Sequence, residues 1–83
     1  MNGKQIKVLY FARLAEVIGK REEIQVLESA MAGSEWLARL AQVYPDIAPV
    51  NRLKLAVNQH HVPHHTLIQP GDEVAVFEPV TGG

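Results

Sequence analysis

Few side chains in this 83-residue sequence are equipped for chemistry, and the most telling ones lie near its end. The last six residues are Glu78-Pro79-Val80-Thr81-Gly82-Gly83. Glycine has no Cβ, so a Gly-Gly terminus can enter a narrow channel and bring an α-carboxylate against another protein's reactive groups without a side-chain clash. Pro79 holds its own φ near one value and biases Glu78 to extended geometry, so the tail is expected to project from the fold. Residues 79–83 reach about 16 Å when extended, enough to carry the Gly83 carboxylate into a partner's active site while the globular part stays outside. At ordinary glycine usage two terminal glycines arise by chance in roughly one chain in two hundred, so this reading needs support from the rest of the sequence.

The sequence contains no cysteine. That excludes disulfides, thiolate metal sites, thiol nucleophiles and persulfide carriage on a side chain. A sulfur atom carried by this chain would sit on the terminal carboxylate. His60-His61-Val62-Pro63-His64-His65 is a cluster of potential metal ligands. Neither a carboxylate nor a thiolate stands beside it to complete a set, and the tract is expected to hold no metal. Trp36 falls at helical spacing with Leu37 and Leu40, which makes it a core residue and not a stacking platform for a ligand.

The net charge of −1 and the unclustered Lys and Arg residues give no field for nucleic acid. Arg13, Lys20 and Arg21 remain candidates to steer docking onto an acidic partner. No stretch approaches the roughly 18 uncharged apolar residues of a membrane span. The N-terminus leads straight into a strand pattern without a signal-peptide apolar region, so a cytoplasmic location without membrane association is expected. With 47% hydrophobic residues the chain can build one compact core, a single domain over 1–83 with an extended tail at 79–83.

The elements that must position the tail follow from periodicity. A strand is expected over 4–11, with Ile6, Val8 and Tyr10 on one face and Gln5, Lys7, Leu9 and Phe11 on the other. Phe11, Leu14, Ala15 and Ile18 then fall at helical spacing and Gly19 follows, predicting a short helix over 12–18 with a left-handed glycine at its end. Period two returns over 22–28, with Ile24 and Val26 against Glu23, Gln25 and Leu27. The main helix is expected over 35–44, capped by Gly33 or Ser34, with Trp36, Leu37, Leu40, Ala41, Val43 and Tyr44 on its apolar stripe. Further strands are read at 53–58 and, briefly, around His61–Val62. Gln69-Pro70-Gly71-Asp72 has the chemistry of a type II turn feeding the last strand, Glu73–Glu78.

One main helix covering one face of one mixed sheet of four to five strands, with a short helix besides, is an α+β architecture. The order fits a β-grasp fold with the first and last strands adjacent at the centre. If Ile6, Val8, Val74 and Val76 point to the main helix, then Leu9, Phe11, Ala75 and Phe77 lie on the opposite face. An exposed apolar patch there would mark an interface. The alternative is a second small core, with the 12–18 helix folding over Phe11 and Leu14.

Ile6-Lys7-Val8-Leu9-Tyr10-Phe11-Ala12, Leu14-Ala15-Glu16-Val17-Ile18-Gly19, Ala56-Val57-Asn58-Gln59, Gly71-Asp72-Glu73-Val74-Ala75 and Phe77-Glu78-Pro79-Val80-Thr81-Gly82-Gly83 together carry a family likeness. The chain resembles the small, sulfur-carrying subunits of molybdopterin synthase, which are ubiquitin-like β-grasp proteins. The resemblance implies that an activating, E1-like enzyme uses ATP to adenylate the Gly83 carboxylate. Sulfur then replaces the adenylate as a thiocarboxylate, and no cofactor is bound by the carrier itself. It further implies that Gly82 allows close approach and that Pro79, Val80 and Thr81 thread into the large synthase subunit. Sulfur passes there to a cyclic pyranopterin monophosphate, within a heterotetramer whose catalytic side chains belong to the large subunit. The carrier would then be a non-catalytic sulfur donor, with Phe11 and Phe77 binding the partner. A thiamine-type sulfur carrier and a protein-conjugating modifier are the neighbouring readings.

Overall fold

The computed structural model describes residues 3–47 and 49–79. Strands β1 (Gln5–Tyr10), β2 (Glu22–Val26), β4 (Lys54–Val57), β5 (His60–Val62) and β7 (Glu73–Phe77) form one mixed sheet in the order β2-β1-β7-β4-β5. β1 and β7 run parallel at its centre, with Val8 opposite Val74, and the remaining pairings are antiparallel. Helix α2 (Gly33–Val43) lies across one face, and the short α1 (Ala12–Ile18) follows β1. This is the expected β-grasp arrangement. Among the described residues no helix is long and apolar enough to cross a membrane.

The core follows the alternation. Ile6, Val8 and Tyr10 of β1, Val74 and Val76 of β7 and Leu55 of β4 bury against Trp36, Leu37 and Leu40 of α2 and Leu14 of α1. Gly19 ends α1 in the left-handed region at φ 88°, its N–H bonded to the Ala15 carbonyl at 2.9 Å. Gly71 takes φ 95°, as the turn before β7 requires.

Several elements depart from the expectations. Helix α2 starts at Gly33, earlier than expected, and its N-cap is Ala32, with no side-chain cap. The backbone supplies the cap instead: Gly33 N–H reaches the Thr66 carbonyl at 2.9 Å and Ser34 N–H the His64 carbonyl at 2.8 Å. The approach is so close that a Cβ on Gly33 would lie 2.6 Å from Leu55 Cδ1 and 2.9 Å from His64 O. A second, two-stranded sheet joins β3 (Met31–Ala32) to β6 (Leu67–Ile68) at the same place. The stretch after α2 is two short 3-10 turns, Pro45–Ile47 and Val50–Arg52. Val43, placed on the apolar stripe by its spacing, is 67% exposed at the last turn of α2. Phe11, counted with the α1 stripe, precedes the helix as its N-cap and stays out of the core.

The largest surprise is β2. Its apolar residues face outward, Ile24 52% and Val26 70% exposed, while Glu23 and Gln25 turn toward the helix side. There they meet a ready-made set of donors. Tyr10 Oη donates to Glu23 Oε2, Tyr44 Oη donates to the same carboxylate at 3.0 Å, and Trp36 Nε1 donates to Gln25 Oε1 at 3.0 Å. Lys20 Nζ stands 3.5 Å from Glu23 Oε1. Burial pushes the Glu23 carboxyl up, but hydrogen bonds from Tyr10, Tyr44 and Gln25, with the charge of Lys20, outweigh it and hold the group below the ordinary Glu value. The rim aromatics Tyr10, Trp36 and Tyr44 carry polar tips that need partners when covered, so an edge strand presenting Glu and Gln satisfies them.

Candidate functional site

The face of the sheet away from α2 is the outer face, and register places its residues. Ala75 of β7 lies opposite Leu9 of β1 on one side and Ala56 of β4 on the other, and Ala56 lies opposite His61 of β5. Phe77 lies opposite Lys54. Phe11 is still extended, with φ −123° and ψ 150°, and so continues the β1 alternation onto this face, where it is 50% exposed. Phe77 is half-buried, and its ring packs at 5.1 Å against that of the exposed His61. α1 buries Leu14 in the main core and leaves Phe11 half-exposed, so no second small core forms among the described residues.

At one end of this face the chain leaves the sheet. β7 stops at Phe77, and Glu78 and Pro79 follow, both half-buried. Arg13, in the first turn of α1, grips the Glu78 carboxylate: Nε donates to Oε1 at 3.1 Å and Nη2 to Oε2 at 2.8 Å. These contacts hold the Glu78 carboxyl below the usual carboxylate range, with a smaller contribution from the charge of Arg52. The chain turns from β1 into α1 at Ala12, whose φ of 50° costs an L residue roughly 1–2 kcal/mol. A groove of about 450 Å³, lined by Lys54, His61, Pro63, Phe77 and Pro79 among others, runs beside the tail root.

The expected site residues therefore divide. Phe11, Phe77 and Pro79 are brought to one end of the outer face, whereas Val80, Thr81, Gly82 and Gly83 lie outside the described residues. Among the described residues no group of three or more His, Cys, Asp or Glu side chains could hold a metal ion. Two of the histidines contact the backbone: His64 Nε2 is 2.6 Å from the Leu53 carbonyl, and His60 Nδ1 is 3.0 Å from that of Asn58. Of the three cations placed as steering groups, Arg13 is engaged by Glu78 and Lys20 by Glu23. Sequence reasoning missed the pairing of Arg13 with Glu78, because nothing local links residues so far apart in the chain.

The ThiS family matches residues 8–83. A relative in Homo sapiens, the molybdopterin synthase sulfur carrier subunit, is 39% identical over 95% of this chain and 94% of its own length. This chain belongs to the ThiS family and, within it, to the molybdopterin synthase sulfur carrier subunits. Two solved structures share the fold of this ThiS-family chain. The small archaeal modifier protein 1 of Haloferax volcanii superposes with a TM-score of 0.78 at 23% identity, over 94% of this chain and all of the other. Subunit 1 of the molybdopterin-converting factor of Helicobacter pylori, solved as a complex with subunit 2, gives 0.62 at 18% identity over 95% and 99%.

Proposed function

We propose that this chain is a cytoplasmic sulfur carrier of molybdenum cofactor biosynthesis that loads sulfur on the carboxylate of Gly83. The carboxylate attacks the α-phosphate of ATP in an activating enzyme, pyrophosphate leaves, and the resulting acyl-adenylate has the leaving group that a free carboxylate lacks. A sulfide-level sulfur then displaces AMP and leaves a thiocarboxylate, whose sulfur is the nucleophile delivered to a cyclic pyranopterin monophosphate. Phe11 and Phe77 seat the large synthase subunit on the outer face, and Pro79, Val80, Thr81 and Gly82 carry Gly83 into that subunit's active site. The side chains that catalyse both steps belong to the partners.

The observation that carries this reading is the similarity to sulfur carrier subunits across almost the whole chain. The geometry adds a reason for the division of labour. The half-exposed Phe11 and the half-buried Phe77 stand beside the tail root, as a docking surface must if docking is to deliver the tail. The absence of cysteine leaves the terminus as the place for sulfur. Intact-protein mass spectrometry after incubation with an activating enzyme, ATP and a sulfur source tests the proposal. The expected result is a mass gain of one oxygen replaced by sulfur, abolished when Gly83 is deleted. An unchanged mass, in a mixture that converts a known carrier, overturns it.

A further inference from the structure

The contact between Arg13 and Glu78 differs from the other surface ion pairs in what it joins. Lys20 with Glu23 and Arg39 with Glu35 are neighbours within one local segment, and Lys7 with Glu22 joins two adjacent antiparallel strands at a single 3.5 Å contact. Arg13 and Glu78 are 65 residues apart and tie the start of α1 to the first residue beyond β7. The pairing uses three contacts, at 3.1, 3.2 and 2.8 Å, so both planar groups are held in orientation as well as in distance. Two backbone constraints flank it. Ala12 sits at φ 50° directly before Arg13, and Pro79 directly after Glu78 has a ring that fixes its φ. Arg52, in the second 3-10 turn, lines the same small pocket and adds positive charge near Glu78.

Together these constraints move the pivot of the tail. With Glu78 unpinned, the chain would hinge at Phe77, the end of β7, and residues 78–83 would sweep a radius of about 20 Å. With Glu78 held and the φ of Pro79 fixed, the pivot lies two residues further on, and the four residues beyond it span at most about 14 Å. A segment whose root is held before docking has less conformational freedom to lose when it enters a channel.

We propose that Arg13 and Glu78 are positioning residues that aim the tail, a role that rests on the sulfur-carrier reading above. The pair is exposed, and such pairs contribute little to folding stability, so removing it should leave the fold intact while loosening the aim. The test uses the full chain in its thiocarboxylated form, the large synthase subunit and the pterin substrate, with KM for the carrier and the rate at saturating carrier measured separately. Arg13→Ala and Glu78→Ala are each expected to raise KM roughly two- to fivefold with the saturating rate unchanged and the same thermal midpoint. The double variant, Arg13→Ala with Glu78→Ala, is expected to be no worse than either single, because both act through one contact. Single variants that match the parent overturn the proposal. So does a double variant whose losses multiply, since each residue would then be touching the partner itself. A parent chain that transfers no sulfur at all would instead count against the carrier reading.

Discussion

Replacing Gly33 by alanine tests how α2 is seated. Ordinary carbon–carbon contacts lie at about 3.5–4.0 Å, whereas the new Cβ would stand 2.6 Å from Leu55 Cδ1 and 2.9 Å from His64 O. Leu55 is buried in the core, so its methyl cannot swing aside without pressing on a neighbour. The His64 carbonyl is backbone and accepts the Ser34 N–H at 2.8 Å, so retreat lengthens the bond that caps the helix. Overpacking of this kind costs about 1–3 kcal/mol. Gly33 is the first residue of α2, where alanine recovers only a fraction of its interior propensity advantage of about 1 kcal/mol, leaving a net loss of about 1–2 kcal/mol. For a domain of this size that lowers the thermal midpoint by about 5–15 °C. Trp36, in the first turns of α2 and 3% exposed, reports the transition by its fluorescence. Gly3→Ala, where nothing lies within 4 Å, is the control and should leave the midpoint in place. A Gly33→Ala midpoint equal to or above that of the parent would refute the reasoning, since the backbone must then have room the distances deny.

Two further outcomes follow from the same structure. Glu23→Gln should lose about 1–2 kcal/mol at pH 7, measured by urea unfolding. Because the folded-state value of Glu23 is depressed, its contribution is present above the unfolded Glu value and lost as pH falls through the folded one. The gap between parent and variant should therefore close below about pH 4, and a gap that persists there would contradict the depressed value. Phe11→Ser should leave stability within about 0.5 kcal/mol, as for other surface changes. It should weaken affinity for the large synthase subunit roughly tenfold or more, as loss of an aromatic anchor does. Unchanged affinity by calorimetry would remove Phe11 from the interface.

What could be read from the sequence was what has a period. Ile6, Val8 and Tyr10 against Lys7, Leu9 and Phe11 gave the faces of β1, and the same alternation oriented β7, because both strands sit at the sheet centre with one face buried. Alternation in β2 was equally regular, yet it does not say which face is inward. At that edge the tips of Tyr10, Trp36 and Tyr44 decide the matter in favour of Glu23 and Gln25. The pair β3 and β6 has two residues in each strand, too few for any period, and exists because the backbone there caps α2. Val43 kept the spacing of the stripe but stands in the last turn of α2, beyond the reach of the core. For the site, the alternation of β1 and β7 was enough to group Phe11 with Phe77. The grip of Arg13 on Glu78 needed the fold, since only the central pairing of β1 with β7 brings residues 13 and 78 together.

That central pairing also bears on how the molecule comes into being. β7 lies between β1 and β4, so neither of those strands completes its ladder until residues 73–77 have been synthesised. Long-range pairing of this kind is slow and leaves strand edges open meanwhile. A nascent chain released before residue 73 would lack the strand that joins the two halves of the sheet, and would present itself to chaperones and proteases as unfinished. The segment that leads into the tail is thus the keystone of the sheet, so a folded molecule has in general been translated at least as far as the root of its tail.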